Sequence, residues 1–271
     1  MTRVGFVGAG VMAEAIISGM LKSGYDRENI WCSDPVESRL EHMKTGYGIN
    51  VMGNNRDLAE GCDVLVLAVK PQNFQNVVRE LKPCIKSSHK LISIMAGVST
   101  SQIEHDLRYF SDGEIVVLPV VRVMPNTPAM ACAGVTCMTP GSKANAEDLA
   151  FARSMFKTVG EVADIDEALM DAATGISGCG PAYIYMIIEA MADGGVMMGM
   201  SRQMAQKLAA ETVRGAAQMV LSGFGHPGEL KDKVCSPAGA TIAGVYALEQ
   251  AGLRGAVMEA VIEGTEKSKR L

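Results

Sequence analysis

The sequence predicts an α/β domain built on a parallel sheet, followed by an all-helical domain. From Arg3 to about Asp166, short and uniformly apolar strands alternate with helices, a pattern typical of a parallel sheet with helices on both faces. Beyond Asp166 the strand signals stop, and helices separated by glycine, proline and serine follow. We therefore assign residues 1–164 to the first domain and residues 165–271 to the second.

Length and composition exclude several classes of protein. The chain has 271 residues, of which 48% are hydrophobic and 20% charged, and this composition excludes a disordered chain. A net charge of −5 argues against a nucleic-acid or anionic-membrane partner. The seven cysteines are odd in number and contain no CxxC pair, so we expect free thiols, no metal site and a cytoplasmic location. The apolar segment 182–200 carries Glu189 and Asp193, which favours a helix buried at a subunit interface over a membrane span.

The elements follow one another in a regular order. In the first domain we predict strands at Val4–Val7, Ile30–Ser33, Val64–Val69, Leu91–Ile94, Val116–Val117, Val120–Met124 and Val135–Met138. The helices between them are predicted at Ala13–Ser23, Ser38–Lys44, Phe74–Leu81 and Glu147–Thr158. A strand near residues 160–168 is expected to run directly into the helices of the second domain, at Met170–Thr174, Pro181–Met197, Arg202–Ser222, Gly228–Val234, Ala240–Gln250 and Leu253–Lys269.

A glycine-rich motif, GxGxxA, joins the first strand to the first helix. Gly8 permits the tight turn, Gly10 allows the backbone to approach a pyrophosphate, and Ala13 allows close packing of helix on sheet. The free N–H groups at the helix N-terminus favour binding of phosphate. In this strand–turn–helix context the motif predicts a Rossmann-type dinucleotide-binding domain.

The end of the second strand carries conflicting signals for the cofactor. Asp34 at that position favours the ribose 2′-hydroxyl of NADH, whereas Ser33, Asn55, Arg39 and Arg56 favour the 2′-phosphate of NADPH. The two arginines are equally compatible with solvated surface charges, and Asn55 is equally compatible with a helix cap. Because Pro35 favours an extended backbone at Asp34, we expect its side chain to point away from the ribose and NADPH to be preferred.

Three further strands end where a parallel sheet places its ligand crevice. Lys70 follows the third strand and points either into the crevice or into solvent. Small residues after Ile94 leave room for a flat nicotinamide ring. Asn126 either contacts the cofactor or holds a proline-rich turn.

Two segments of the second domain are unusual. In the first, three glycines precede Pro181, which lies near the start of a long helix, and Thr174 and Tyr183 supply hydroxyls at either end. In the second, Ser236 and Pro237 are predicted as the N-cap and first residue of a helix. The hydroxyls of Ser236 and Thr241 would then surround the helix N-terminus, either as a small-carboxylate site or as plain capping.

Several segments together are similar to one family. They occur in the family's order at Val7–Gly10, Ala68–Pro71, Met124–Pro128, Gly178–Tyr183, Ala192–Val196, His226–Asp232, Ser236–Pro237 and Gly239–Thr241. On these motifs the chain resembles pyrroline-5-carboxylate reductase. The resemblance implies a Rossmann-type domain followed by a helical dimerisation domain, and reduction of 1-pyrroline-5-carboxylate to L-proline by NADPH or NADH. It also implies homodimers that often assemble into rings.

The resemblance also implies roles for residues. Ser33 and Asn55 would contact the adenosine end of the cofactor, and Ser236, Ala240 and Thr241 would hold the substrate carboxylate. With the motif residues, the expected cofactor site comprises Val7, Gly8, Ala9, Gly10, Val11, Met12, Ser33, Asn55, Ala68, Val69, Lys70, Pro71, Ile94, Met95, Ala96 and Asn126, and the expected substrate site comprises Ser236, Gly239, Ala240 and Thr241. The chain departs from the family pattern at Cys179, Ala238, Phe224 and Lys233.

The expected chemistry needs orientation more than a nucleophile. A cyclic imine is already electrophilic, so the enzyme has to hold its C5 against C4 of the nicotinamide. Thr174 is the candidate proton donor or water holder, with packing as its alternative role. Two other readings remain at this stage: a hydroxyacid dehydrogenase of similar two-domain plan, which needs a Lys or His acid–base group, and a non-catalytic nucleotide-sensing protein.

Overall fold

The computed structural model describes residues 2–270 and contains a mixed sheet with helices on both faces. The strands are β1 (Val4–Val7), β2 (Ile30–Ser33), β3 (Asn50–Met52), β4 (Val64–Leu67), β5 (Lys90–Ser93), β6 (Tyr109–Ser111), β7 (Glu114–Val116), β8 (Val120–Met124), β9 (Gly134–Pro140) and β10 (Gly160–Asp164). The helices are α1 (Val11–Lys22), α2 (Glu37–Tyr47), α3 (Asn55–Gly61), α4 (Phe74–Leu81), α5 (Thr100–Leu107), α6 (Ala146–Lys157), α7 (Met170–Ala173), α8 (Gly180–Met197), α9 (Arg202–Leu221), α10 (Pro227–Val234), α11 (Ala240–Gln250) and α12 (Leu253–Ser268).

The described residues divide into two compact units. Those up to Gly178, with those from Gly264 onward, form the first unit, and Cys179–Glu263 form the second. The domain boundary predicted between residues 164 and 165 remains a proposal.

The main sheet has the strand order β10-β9-β8-β5-β4-β1-β2-β3. Neighbouring strands from β3 to β8 in this order are parallel, as predicted. The prediction of a wholly parallel sheet is wrong for β9, which pairs antiparallel with β8, while β10 is parallel to β9. Residues 125–133 connect β8 to β9, and they are too few for the crossover that a parallel partner needs.

Two apolar clusters cover the two faces of this sheet. Phe6, Ile16 and Phe156 are fully buried in the cluster that includes α1 and α6. On the opposite face, Leu65, Phe74 and Leu81 are buried with α3, α4 and α5. Because alternate side chains of β1 and β4 enter opposite clusters, the carboxyl ends of these strands are held rigidly at one edge of the sheet.

Several elements of the first unit were not predicted. These are β3, α5, β6 and the hairpin of β6 with β7, whose turn has Asp112 and Gly113 at positive φ. The strand predicted at Val116–Val117 overlaps β7 at Val116 alone. The reading of Asn55 as a helix cap is wrong. Asn54 caps α3 by accepting a hydrogen bond from the Asp57 N–H at 2.9 Å, so Asn55 is the first residue of the helix and its side chain is free for other contacts.

The second unit is a set of helices with a very small core. Within it, the buried apolar residues are Ala192, Ala205 and Ala209, which pack α8 against α9. Large apolar side chains on the same helices are exposed, among them Met186 at 69% and Leu221 at 82%. A surface this apolar indicates burial by another chain.

One helix start of the second unit differs from the prediction. The N-cap of α11 is Gly239, and Ser236 to Gly239 form a turn in which the Gly239 N–H donates to the Ser236 carbonyl at 3.0 Å. The prediction of Ser236 as N-cap and Pro237 as first helical residue is therefore wrong. Among residues 2–270, no helix combines the length and hydropathy needed to cross a membrane.

Candidate functional site

The glycine loop between β1 and α1 has the geometry that its sequence predicts. Gly8 has φ +101°, and a Cβ there would lie 2.7 Å from the carbonyl oxygen of Ala68, so only glycine fits this turn. Gly10 is the N-cap of α1, and a Cβ on it would meet no atom within 4 Å. The space beside Gly10 and the free N–H groups of α1 therefore suit a phosphate group.

The peptide groups of Ala9 are held on both sides by charged side chains. The Ala9 N–H donates to Asp34 Oδ2 at 2.9 Å, and the Ala9 carbonyl accepts from Arg39 Nε at 2.9 Å and Nη2 at 2.6 Å. The other Asp34 oxygen accepts the Val36 N–H. Asp34 and Arg39, which the sequence offered as cofactor ligands, thus fix the shape of the loop.

Glu14 is the centre of the network behind this loop. Its carboxylate accepts hydrogen bonds from Arg39 Nη2 at 2.7 Å and Tyr47 Oη at 2.9 Å, and it lies 2.7 Å from His42 Nε2. Burial alone would raise the pKa of Glu14, but the bonds with His42, Arg39 and Tyr47 outweigh it and lower the pKa to about 2. Glu14 therefore anchors Arg39, which in turn holds the Ala9 carbonyl.

A cavity of about 910 Å³ lies at the carboxyl ends of β1, β2 and β4. It contains seven of the predicted cofactor residues: Gly8, Gly10, Ser33, Asn55, Ala68, Val69 and Lys70. Lys70 and Arg56 both line it and are exposed, and within the described residues neither side chain has a hydrogen-bond or ion-pair partner. The other predicted residues lie outside its lining: Val7, Ala9, Val11, Met12, Pro71, Ile94, Met95, Ala96 and Asn126.

The wall of the cavity near β2 contains a chain of three polar side chains. Ser33 Oγ donates to Asn55 Oδ1 at 2.6 Å, and Asn55 Nδ2 donates to Glu80 Oε2 at 2.6 Å. Ser33 is only 1% exposed, and its hydroxyl proton is used in the bond to Asn55. Sequence reasoning missed Glu80, because only the packing of α4 beside α3 brings this residue to Asn55.

The side chains of Asn126 and Thr174 both form hydrogen bonds with backbone groups of the first unit. Asn126 Nδ2 donates to the Ser177 carbonyl at 3.0 Å, and its Oδ1 accepts the Val135 N–H at 2.9 Å. These contacts favour the turn-holding role of Asn126. Thr174 is buried, and its hydroxyl donates to the Met170 carbonyl at 2.8 Å at the start of a π-helical turn. Its oxygen can therefore still accept a hydrogen bond, while its proton is already used.

In the second unit, the start of α11 brings together the predicted substrate residues. A Cβ on Gly239 would collide with Ser236 Oγ, which shows that the Ser236 hydroxyl lies against the N-cap. Thr241 is in the first turn, and within residues 2–270 neither hydroxyl has a hydrogen-bond partner. Exposed hydroxyls beside the free N–H groups of a helix N-terminus suit a carboxylate.

Two of the departures noted in the sequence lie beside these helix starts. Ala238 has φ +55°, a conformation that favours glycine, in the turn before α11. Cys179 is the N-cap of α8 and lies near Tyr183, whose hydroxyl donates to the Ala260 carbonyl at 2.9 Å. Burial raises the pKa of Tyr183, and Cys179 adds to this effect, so the phenol keeps its proton at neutral pH.

Two family models match the chain. A model described as pyrroline-5-carboxylate reductase dimerisation matches residues 167–271. A model described as NADP oxidoreductase coenzyme F420-dependent matches residues 3–97. The first covers the helical part, and the second covers the glycine loop and all the residues that line the cavity.

Relatives match over the whole length. Pyrroline-5-carboxylate reductase of Methanosarcina acetivorans is 46% identical over 99% of this chain and 97% of its own. The Escherichia coli enzyme of the same name is 39% identical over 99% and 98%. The crystal structure of Plasmodium falciparum pyrroline carboxylate reductase with NADP bound is 34% identical, has a TM-score of 0.87, and the match covers 99% of this chain and 97% of that one. By this full-length similarity, the chain belongs to the pyrroline-5-carboxylate reductase family.

Proposed function

We propose that the protein reduces the C=N bond of 1-pyrroline-5-carboxylate with NAD(P)H and produces L-proline, the final step of proline biosynthesis. The observation that carries this proposal is the 46% identity to a pyrroline-5-carboxylate reductase over 99% of the chain. The glycine loop, the cavity beside it and the hydroxyls at the start of α11 supply the parts that this reaction needs.

The cavity of the first unit fits a dinucleotide. The open space at Gly10 and the free N–H groups of α1 would hold the pyrophosphate, and Asn55 would hold the adenosine ribose with Ser33 behind it. Ala68, Val69 and Lys70 of the cavity lining would contact the nicotinamide half, together with Pro71 and Ile94–Ala96 from outside that lining. The unpartnered cation of Arg56 supports NADPH as the preferred cofactor, with NADH as the second.

The substrate carboxylate would bind at the N-terminus of α11. Ser236 and Thr241 would donate their hydroxyl protons, and the N–H of Ala240, next to the N-cap Gly239, would add the positive end of the helix dipole. Such charge-assisted bonds fix the ring in one orientation.

The bound cofactor supplies the hydride. The chain therefore has to bind and orient the substrate and to hold a proton donor or a water molecule. No acid–base lysine or histidine is needed, because a protonated imine is already electrophilic. The Thr174 hydroxyl donates to Met170 and can accept from a water molecule, which favours the water-holding role over direct proton donation.

The exposed apolar helices of the second unit support a homodimer, and we propose that dimers assemble into rings. Apolar side chains such as Met186 and Leu221 would be buried between copies of the chain. We also propose a cytoplasmic location, because all seven cysteines are free thiols.

An absorbance assay at about 340 nm tests this function, because NAD(P)H loses its absorbance there when it gives up its hydride. We expect rapid oxidation of NADPH and slower oxidation of NADH with pyrroline-5-carboxylate. The same protein should not reduce NAD⁺ in the presence of 3-hydroxyacids. Activity with a hydroxyacid and none with the imine would favour the dehydrogenase alternative, and no activity with either would favour a nucleotide sensor.

A further inference from the structure

We propose that Glu80 is a specificity-determining residue that weakens binding of a 2′-phosphorylated cofactor relative to one with a free 2′-hydroxyl. The inference rests on the proposed NAD(P)H-dependent function. Glu80 lies on α4, is exposed, and contributes its carboxylate to the wall of the cavity beside β2.

The contact between Glu80 and Asn55 fixes how the asparagine amide is turned. A carboxylate only accepts hydrogen bonds, so the group of Asn55 that lies 2.6 Å from Glu80 Oε2 has to be its NH₂. The carbonyl oxygen of Asn55 then faces Ser33 and accepts the single proton of that hydroxyl at 2.6 Å. The contact with Glu80 therefore determines that Asn55 donates to Glu80 and accepts the proton of Ser33.

With the hydrogen bonds in this order, Asn55 and Ser33 have few donors left for a phosphate. After both contacts, Asn55 keeps one N–H and one oxygen lone pair, and Ser33 has no proton left to donate. A ribose hydroxyl can donate to the oxygen or accept from the N–H. A phosphate can only accept, and it would also meet the Asn55 carbonyl dipole and the negative charge of Glu80.

Ser33, Asn55 and Glu80 lie where the adenosine ribose of the cofactor is expected to bind. Ser33 is the last residue of β2, and in a Rossmann-type domain the end of this strand lies at the adenosine ribose. Glu80 is one hydrogen-bonded side chain further out in the same wall. Its charge thus lies close to where the 2′ substituent is expected.

The preference between NADPH and NADH also depends on the other charged residues that line the cavity. Arg56 favours a 2′-phosphate, and each carboxylate oxygen of Asp34 already accepts a backbone N–H. Asp57 also lines the cavity, and one of its carboxylate oxygens accepts a hydrogen bond from Asn54 Nδ2. Glu80 therefore opposes the effect of Arg56 and reduces the preference for NADPH over NADH.

The test compares Glu80→Gln with the unchanged protein in binding of adenosine 2′,5′-bisphosphate and of AMP by calorimetry. Removing one negative charge near a phosphate in a solvated cavity should raise the affinity ratio of the bisphosphate to AMP by about three- to tenfold, and high salt should reduce this gain. The ratio of kcat/KM for NADPH to that for NADH should rise with it, mainly through the KM for NADPH.

Glu60→Gln is the matched control, because Glu60 is exposed on the neighbouring α3 and lies outside the cavity lining. Glu80→Ala is the second variant and should change the ratio in the same direction. An unchanged ratio in both Glu80 variants, or an equal rise in Glu60→Gln, would overturn the proposal. Because the nucleotide titrations need no reductase activity, this result is distinct from failure of the proposed function.

Discussion

Replacing Glu14 by glutamine removes the charge at the centre of the network that holds the glycine loop. The contacts of Glu14 lower its pKa from 4.5 to about 2. At about 1.4 kcal/mol per pH unit, this difference corresponds to about 3 kcal/mol of the free energy of unfolding. The side chain is only 21% exposed, and glutamine keeps part of the hydrogen bonding, so we expect Glu14→Gln to cost about 1–3 kcal/mol near neutral pH.

The pH dependence of this loss follows from the direction of the pKa shift. Because the pKa of Glu14 is lower in the folded protein, its stabilisation is present above about pH 4.5 and is lost as the pH falls toward about 2. The difference between Glu14→Gln and the unchanged protein should therefore shrink in acid.

Urea unfolding followed by circular dichroism measures this difference, at one fixed protein concentration because self-association affects apparent stability. Glu41→Gln is the control, since Glu41 is an exposed residue of α2 whose side chain makes no hydrogen bond or ion pair within the described residues. The reasoning is refuted if Glu14→Gln destabilises no more than Glu41→Gln at about pH 7, or if its deficit is the same at about pH 3.

Three further predictions concern the two sites. Gly8→Ala should weaken NADPH binding by about tenfold or more, measured by cofactor fluorescence, because its Cβ meets the Ala68 carbonyl; Gly61→Ala, which faces open space, is the control. Ala238→Gly should raise the free energy of unfolding by about 0.5–1 kcal/mol, because φ is +55° there, and a lower Tm would contradict this. Thr241→Val should lower kcat/KM for the imine by about tenfold or more with NADPH affinity nearly unchanged, and equal activity would remove Thr241 from the site.

The sequence predicts features that depend on neighbouring residues. The turn at Gly8 and the helix Phe74–Leu81 follow from local patterns of glycine and apolar residues, and the structure confirms them. The first helix was predicted from Ala13, whereas α1 already begins at Val11. The antiparallel pairing of β9 could also have been predicted, because the segment 125–133 is too short to contain a crossover helix.

Contacts between residues that are far apart in the sequence could not be predicted from local patterns. Arg39 reaches back to Ala9, and Glu80 reaches Asn55, only after α2 and α4 have packed on the sheet. Sequence proximity to β2 suggested cofactor contacts for Asp34 and Arg39, whereas their side chains hold the loop backbone. Residue type alone does not distinguish a ligand of the cofactor from a residue that supports the loop.

The most direct test of the reductase function follows the hydride. NADPH that carries deuterium at the transferred position of C4 is incubated with the unchanged protein and pyrroline-5-carboxylate, and the product is examined by mass spectrometry and NMR. The proposed reaction predicts L-proline with one deuterium at C5. Formation of no proline, or of proline without deuterium at C5, would contradict direct transfer of the hydride to the imine carbon.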